Sequence, residues 1–182
     1  MRAVLVVARA HPRRPLRPLR RRRTGGPTRV KRRAAVAVVL VLLVLDQITK
    51  EWARRALPLH GAIDVFPFFN LVHVRNTGAA FGILPQSNAL FIGVTLVILA
   101  VLAKMGREFA AQGVWARSGL PFVWAGALGN LVDRLRHGAV IDFLDFHWRG
   151  WHWPAFNVAD SAITVGIGCL IVQHFAPRLG RE

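Results

Sequence analysis

The sequence predicts a mainly α-helical membrane protein with four transmembrane helices. The chain has 182 residues, of which 53% are hydrophobic, and its mean hydropathy is +0.36. This composition is too apolar for an ordinary soluble domain. Four apolar segments approach the roughly 20 residues that a spanning helix needs. The basic residues are concentrated before the first of these segments, as expected for a cytoplasmic N-terminus.

The four apolar segments define the predicted spans. They are Ala34 to Leu45, extendable through Asp46 to about Leu57, then Ser87 to Ala103, Ser118 to about Leu135, and Ala155 to Phe175. The first and third segments lose their apolar character at Asp46 and Asp133. We therefore expect these two carboxylates near a membrane face or turned towards the protein interior.

The N-terminal part of the chain is strongly basic. Thirteen of the 25 Lys and Arg residues precede Ala34, and they dominate the formal net charge of +16. A basic segment before a first spanning helix obeys the positive-inside rule and can contact anionic lipid, so we do not expect nucleic-acid binding. The Pro- and Arg-rich stretch from His11 to Arg33 is expected to be disordered. No small-residue cleavage site follows the first apolar run, which favours a retained helix over a cleaved signal peptide.

Four spans place both termini in the cytoplasm. The loop that carries Lys104, Arg107 and Arg117 is then cytoplasmic too, as the charge rule requires. The loops at about Pro58 to Gln86 and Arg136 to Pro154 face the outer side. The predicted parts of the chain are a basic disordered cytoplasmic extension (1–33), a four-helix membrane domain (34–176) and a short cytoplasmic tail (177–182).

One aspartate, Asp160, lies in the fourth apolar segment, where nothing else is charged. A carboxylate in a bilayer costs several kcal/mol near the midplane and less towards the interface, so a partner is expected. Asp142 ends the outward path of the third span and can reach the same depth. Two carboxylates at one depth share a proton, which is the acid and base arrangement of an aspartic protease. By spacing alone, the possible partners of Asp160 are Asp133, Asp142 and Asp145.

Two polar motifs lie on predicted helices. Asp46 and Lys50 stand at i, i+4 on one face, either as part of a site or as a helix-end ion pair with Lys50 reaching the headgroups. In the third span the residues Asn130, Asp133 and Arg134 share a face, and structural pairing of the last two is the alternative. Gly126 precedes Asn130 by one turn and would allow a neighbouring helix to approach closely.

Two further motifs lie outside the middle of the spans. The stretch from Phe69 to Val74 predicts a short strand. The following Asn76-Thr-Gly78 predicts a turn, because Gly tolerates a positive φ and Asn bonds its own backbone. Asn157 stands three residues before Asp160, on the same face of the fourth helix.

Together these motifs resemble lipoprotein signal peptidase (signal peptidase II), a bacterial intramembrane aspartic peptidase. The resemblance covers about Ala34 to Phe175 and rests on five motifs in order: D-x-x-x-K, N-x-G-A-A-F, G-x-x-x-N-x-x-D-R, V-x-D-F and F-N-x-A-D. It implies that Asp142 and Asp160 are the catalytic pair and that Asp133 is structural. The positions that it implies to bind substrate or support the site are Asp46, Lys50, Asn76, Gly78, Asn130, Arg134 and Asn157.

The resemblance also implies a reaction and a setting. The enzyme would remove the signal peptide from diacylglyceryl-modified prolipoproteins, cutting just before the lipidated Cys, without a metal or organic cofactor. It would lie in the bacterial cytoplasmic membrane, with its active site towards the outer face, and we expect a monomer. The implied fold has a small extracytoplasmic β cradle between helices 1 and 2, supplied by about Ile63 to Gly82.

Three other interpretations explain less of the sequence. A metal site could use the outer-loop residues Asp145, His147 and His152, with His137 nearby. No H-E-x-x-H spacing appears, so this stretch is expected to be an interfacial loop with aromatic anchors and a solvated Asp145. A transporter or channel could use the polar residues as an ion path, but no inverted repeat is found. A helical scaffold with a basic tail leaves Asp160 unexplained.

Overall fold

Four long helices and one small antiparallel sheet make up the described part of the chain, which comprises residues 29–78 and 84–179 of the computed structural model. The elements in order are α1 (Arg29–Ala56), β1 (Ala62–Phe66), β2 (Phe69–Asn76), α2 (Asn88–Gln112), α3 (Val114–His137), β3 (Val140–Trp148), β4 (Trp151–His152) and α4 (Val158–Leu179). Each helix contains most of one predicted apolar segment, although α4 begins at Val158 rather than Ala155 and α2 at Asn88 rather than Ser87.

The first helix begins inside the basic stretch. Arg29–Ala56 is continuous, so the expected disorder does not extend to residues 29–33. Arg and Lys are good helix formers, and the last proline of the stretch, Pro27, precedes the helix. The expected disorder of residues 1–28 lies outside the described residues.

The predicted loop between the second and third spans is almost absent. The helix α2 runs through Gln112 and α3 starts at Val114, with only Gly113 between them. Lys104 and Arg107 therefore lie on α2, and Arg117 lies on α3, rather than in a loop. Residues 104–112 are rich in good helix formers and contain no proline, so the helix continues past the apolar run.

Within the described part of the chain, two helices are long and apolar enough to cross a membrane, Asn88–Gln112 and Val158–Phe175. The other two are as long, with 28 residues in α1 and 24 in α3. Their second halves carry buried charged side chains: Asp46, Lys50, Asp133 and Arg134. Small apolar clusters pack α2 against α3, one built on Leu99 and one on Leu102.

The four strands form one antiparallel sheet in the order β1-β2-β3-β4. The segment between α1 and α2 supplies only β1 and β2, while β3 and β4 come from the segment between α3 and α4. The stretch around Asp145 and His152 was expected to be a loop, and this part of the expectation is wrong, while its interfacial position stays a prediction. Its residues Val140–Trp148 are mostly β-branched, aromatic or aliphatic, and they pair with β2 from Phe69 to Asn76.

Glycines allow α3 and α4 to pack with their backbones close together. A Cβ atom at Gly126 would overlap the carbonyl oxygen of Ala159 and come 2.6 Å from Cγ1 of Ile163. A Cβ atom at Gly119 would lie 2.6 Å from the carbonyl oxygen of Gly166. The sequence prediction that Gly126 admits a neighbouring helix is therefore confirmed. This contact places the first turn of α4 beside the second half of α3.

Gly126→Ala is predicted to destabilise the protein by about 1–3 kcal/mol, because the carbonyl of Ala159 belongs to a helix backbone and cannot rotate away. The matched control is Gly168→Ala on α4, where an added Cβ meets nothing within 4 Å. That change is expected to be neutral or stabilising by up to about 1 kcal/mol. Thermal unfolding in detergent measures both. Equal stability of the two variants would contradict close packing at Gly126.

Candidate active site

Asn157 joins the two carboxylates that the sequence singled out. Its side-chain Nδ2 donates to Oδ1 of Asp142 at 2.7 Å. Its backbone N–H donates to Oδ2 of Asp160 at 3.3 Å, and its Oδ1 accepts from the backbone N–H of Asp160 at 2.9 Å. Asn157 is fully buried, Asp142 is buried on β3, and Asp160 lies in the first turn of α4.

The reciprocal bonds between Asn157 and Asp160 form a capping box at the start of α4. The side chain of the capping residue accepts from the third helical residue, whose own side chain accepts from the capping residue's backbone. The F-N-x-A-D motif thus has a structural cause as well as a chemical one. It begins the helix and fixes the direction of the Asp160 carboxylate.

Two other amides complete the shell of the pair. Asn76 Nδ2 donates to Oδ2 of Asp142 at 3.1 Å, and Asn130 Nδ2 donates to Oδ1 of Asp160 at 2.8 Å. Each of the four carboxyl oxygens therefore accepts a hydrogen bond from an asparagine amide or backbone N–H. These donors come from β2, α3 and the start of α4, so the site forms only when the sheet and helices are assembled.

Lys50 lies behind the pair as a buried cation. Its Nζ lies 2.9 Å from Oδ2 of Asp46 and 3.0 Å from Oδ2 of Asp133, and its side chain is 3% exposed. The same Nζ donates to Oδ1 of Asn130 at 2.9 Å, which directs the amide nitrogen of Asn130 towards Asp160. The alternative of a helix-end ion pair with Lys50 reaching the headgroups is therefore wrong, because the cation points inward.

The two carboxylates that bind Lys50 also hold backbone groups next to the candidate pair. Asp133 Oδ2 accepts from the backbone N–H of Ile141 at 3.1 Å. Asp46 Oδ1 accepts from the backbone N–H of Ala159 at 2.8 Å. Ile141 and Ala159 immediately precede Asp142 and Asp160 in the chain. The ion cluster of Lys50, Asp46 and Asp133 therefore fixes the backbone at both candidate positions.

Arg134 anchors the turn that follows β2. Its Nη2 donates to the carbonyl of Gly78 at 2.7 Å, and its Nη1 donates to Oδ1 of Asn88 at 3.3 Å. The predicted turn is confirmed, because the backbone N–H of Gly78 donates to Oδ1 of Asn76 at 3.0 Å. The guanidinium also lies 4.7 Å from the ring centre of Phe91. Arg134 thereby holds in place the segment that carries Asn76.

Asp145 is not the solvated loop residue that was expected. It is buried on β3, where it accepts from Asn70 Nδ2 at 3.2 Å and contacts Nδ1 of His152 at 2.9 Å. The ring of His147 instead contacts Oδ1 of Asn70 at 3.3 Å. Within residues 29–78 and 84–179, no group of three or more His, Cys, Asp or Glu side chains could hold a metal ion.

The sequence interpretation missed two polar residues of this network. Gln47 donates to Oδ1 of Asp133 at 3.0 Å and to the carbonyl of Gly129 at 3.3 Å. Asn88 accepts a hydrogen bond from Arg134, as described above, and its Nδ2 donates to the backbone carbonyl of Arg134 at 3.2 Å. A signal was present for both, since each is an uncharged polar side chain beside or within an apolar span.

Burial and charge together make Asp142 a weak acid. Its removal from water raises the pKa of Asp142, the charge of nearby Asp160 raises it further, and the result is a pKa of about 7. The amides of Asn76 and Asn157 oppose this shift. A cavity of about 580 Å³ reaches Asp142 along β2 and the segment at Pro154. The carboxyl can therefore keep its proton near neutral pH and still face a ligand.

The signal peptidase (SPase) II family model matches residues 38–176. The chain belongs to the signal peptidase II family. Members are aspartic peptidases, so the two carboxylates described above are the type of group that the family's chemistry requires. The match includes all of the polar network from Asp46 to Asp160.

Curated relatives and solved structures agree with this family. The lipoprotein signal peptidase of Syntrophotalea carbinolica is 47% identical over 147 residues, which are 79% of this chain and 91% of that protein. The lipoprotein signal peptidase of Geobacter sulfurreducens is 47% identical over 141 residues, 75% of this chain and 88% of that protein. A solved bacterial membrane enzyme superimposes with a TM-score of 0.73 at 31% identity, covering 82% of this chain and 91% of its own.

Lys50→Met is predicted to destabilise the protein by about 3–5 kcal/mol, because it leaves two buried carboxylates without their cation. Lys104→Met is the control, because it removes the same charge from an exposed position on α2. Thermal unfolding in detergent compares the two variants, and the control is expected to lie within about 0.5 kcal/mol of the parent. If Lys50→Met were as stable as Lys104→Met, the ion cluster would not hold the site together.

Proposed function

We propose that Asp142 and Asp160 are the catalytic pair with which this signal peptidase II hydrolyses its substrate. The enzyme is an aspartic endopeptidase that removes the signal peptide from diacylglyceryl-modified prolipoproteins, cutting just before the lipidated Cys. The observation that carries the assignment is that Asn157 donates hydrogen bonds to both carboxylates, which come from different elements. Asp133, the competing candidate, is occupied by Lys50 and the backbone of Ile141.

The proposed reaction uses one proton shared by the pair. Asp142, with its pKa of about 7, holds the proton and donates it to the oxygen of the scissile carbonyl. Asp160 takes a proton from the attacking water, whose oxygen bonds to the carbonyl carbon. The tetrahedral intermediate then collapses as the carbon–nitrogen bond breaks. The proton on Asp160 passes to the departing amine of the Cys, and Asp142 recovers its proton from the intermediate.

The remaining predicted site residues are proposed as positioning residues. Asn76, Asn130 and Asn157 orient the carboxyl oxygens. Lys50 and Asp46 hold the backbone of α4 and the amide of Asn130. Arg134 and Gly78 place the turn after β2, which lines the cavity beside Asp142. No metal or organic cofactor takes part in the proposed steps.

We propose that all four helices span the membrane, with both termini in the cytoplasm. Many large apolar side chains on α1 are exposed, for example Val41 at 65% and Val44 at 55%. Soluble monomers rarely expose an apolar surface of this extent, whereas lipid would cover it. The candidate site lies at the end of the bundle where α1 and α3 finish, α4 begins and the sheet packs. The basic start of α1 lies at the opposite end, as the positive-inside rule requires.

The other proposed features follow from this orientation. The sheet is the extracytoplasmic cradle, so the active site faces the outer side of the bacterial cytoplasmic membrane. The peptidase domain is 34–176, preceded by the cytoplasmic extension 1–33 and followed by the tail 177–182. The extension contacts anionic lipid through its arginines. The enzyme acts as a monomer, which is consistent with a candidate site whose two carboxylates both come from one chain.

Asp142→Asn and Asp160→Asn are each predicted to lower turnover by roughly a thousandfold or more, and the double change is predicted to add little, because the pair acts as one unit. The variants should still fold, with a modest loss of stability, because the amide removes the cost of the carboxyl charge but sets its NH2 group against one N–H donor. Cleavage of a lipidated precursor in detergent measures turnover, with thermal stability determined on the same samples.

Two further aspartates serve as controls for this prediction. Asp145→Asn is expected to retain turnover but to lose stability, because Asp145 binds Asn70 and His152 within the sheet. Asp133→Asn is expected to reduce activity through a displaced β3 and a loss of folded protein. The assignment would be wrong if Asp142→Asn cleaved at a near-normal rate while Asp133→Asn was folded and inactive.

A further inference from the structure

A second cavity, of about 570 Å³, lies where α1 and α3 end, and the proposed reaction does not use it. Its floor is formed by residues that are already paired, Lys50 and Asp133, together with Ile141. Its mouth carries three exposed arginines from two different helices. These are Arg54 and Arg55 on α1 and Arg136 on α3.

The mouth of this cavity has a surplus of positive charge. Its one carboxylate is Glu51, which binds Arg54 at 2.8 Å and also binds Arg55. Among the described residues, no carboxylate lies within ion-pair distance of Arg136, so three cations face one anion. The negative ends of the helix dipoles favour cations there, but each end offers only a partial charge. The surplus is therefore suited to a bound anion.

The position of these arginines favours an anion that belongs to the membrane. In the proposed orientation they lie on the outer side, where the positive-inside rule disfavours clusters of basic residues near a span. Phospholipid headgroups supply phosphate at that level. Arginine binds phosphate through two parallel N–H groups, and the exposed guanidinium of Arg136 forms no ion pair with the part of the chain that the structure describes.

The cavity also has an apolar wall on its lipid-facing side. Ile48 and Trp52 both line it, stand one helical turn apart on α1, and are 62% and 47% exposed. Tryptophan is enriched at the level of lipid headgroups, and an aliphatic neighbour one turn deeper matches the start of an acyl chain. A free phosphate ion would gain nothing from this wall, so the lining favours a lipid.

We propose that this cavity binds the headgroup phosphate of an anionic glycerophospholipid, with Arg136 as the principal phosphate ligand and Ile48 and Trp52 contacting the lipid's apolar part. The Arg54–Glu51–Arg55 group closes the other side of the phosphate. This site is distinct from the basic N-terminal extension and from the catalytic pair. It does not depend on which aspartates perform the hydrolysis.

The test titrates phosphatidylglycerol into detergent micelles that contain the full chain and follows the midpoint of thermal unfolding. A lipid that binds the native state raises this midpoint as its mole fraction grows. Arg136→Gln is expected to require an about fivefold higher mole fraction for the half-maximal rise. Arg55→Gln, whose side chain is 75% exposed, is a second variant that is safe for folding and should shift the titration in the same direction.

Matched controls separate this site from general attraction to charge. Arg149→Gln removes the same charge from the turn between β3 and β4, outside the cavity, and should titrate like the parent. Phosphatidylcholine with the same acyl chains and inorganic phosphate alone should each give no rise. The proposal is overturned if Arg136→Gln and Arg149→Gln titrate alike, if inorganic phosphate reproduces the effect, or if phosphatidylglycerol leaves the parent's midpoint unchanged.

Discussion

The buried ammonium of Lys50 is the group on which the rest of the site depends. It joins Asp46 on its own helix to Asp133 on α3, and each carboxylate uses its remaining capacity to bind a backbone N–H beside a candidate catalytic residue. One cation thereby sets the relative position of β3 and α4. A buried ion pair seldom adds net stability, so its value here is that it specifies one arrangement of the elements.

Asparagine amides connect this ion cluster to the two candidate catalytic carboxylates. The side-chain oxygen of Asn130 accepts a hydrogen bond from Lys50, and its side-chain nitrogen donates one to Asp160. Asn157 donates hydrogen bonds to both carboxylates. Uncharged donors hold the oxygens in place without neutralising the charge that the pair must share. An arginine or lysine in direct contact would stabilise the charged form of the pair and so remove the proton that the proposed reaction needs. The nearby cations instead bind other groups. Lys50 forms ion pairs with Asp46 and Asp133, and Arg134 donates to the carbonyl of Gly78.

The helices and the polar residues could be predicted from the sequence because both depend on local patterns. The helices follow from the length of the apolar segments, and the capping box of Asn157 and Asp160 is a three-residue spacing. The sheet could be predicted only in part, because β3 pairs with β2 across a long separation in the chain, as between Asn76 and Val140. Asp145 was misjudged for that reason, since its burial comes from this pairing and not from its neighbours in the chain. The choice between Asp133 and Asp142 came from the family resemblance, because spacing places both at one end of the bundle.

An experimental structure of the enzyme in lipid, with ordered solvent at the site, tests the central claim most directly. We predict one water molecule within hydrogen-bond distance, about 2.5–3.0 Å, of a carboxyl oxygen of Asp142 and of one of Asp160. Lys50 should lie on the far side of Asn130, in contact with Asp46 and Asp133 and with neither member of the pair. A side chain between the two carboxyls, or Lys50 bound directly to Asp160, would contradict the account.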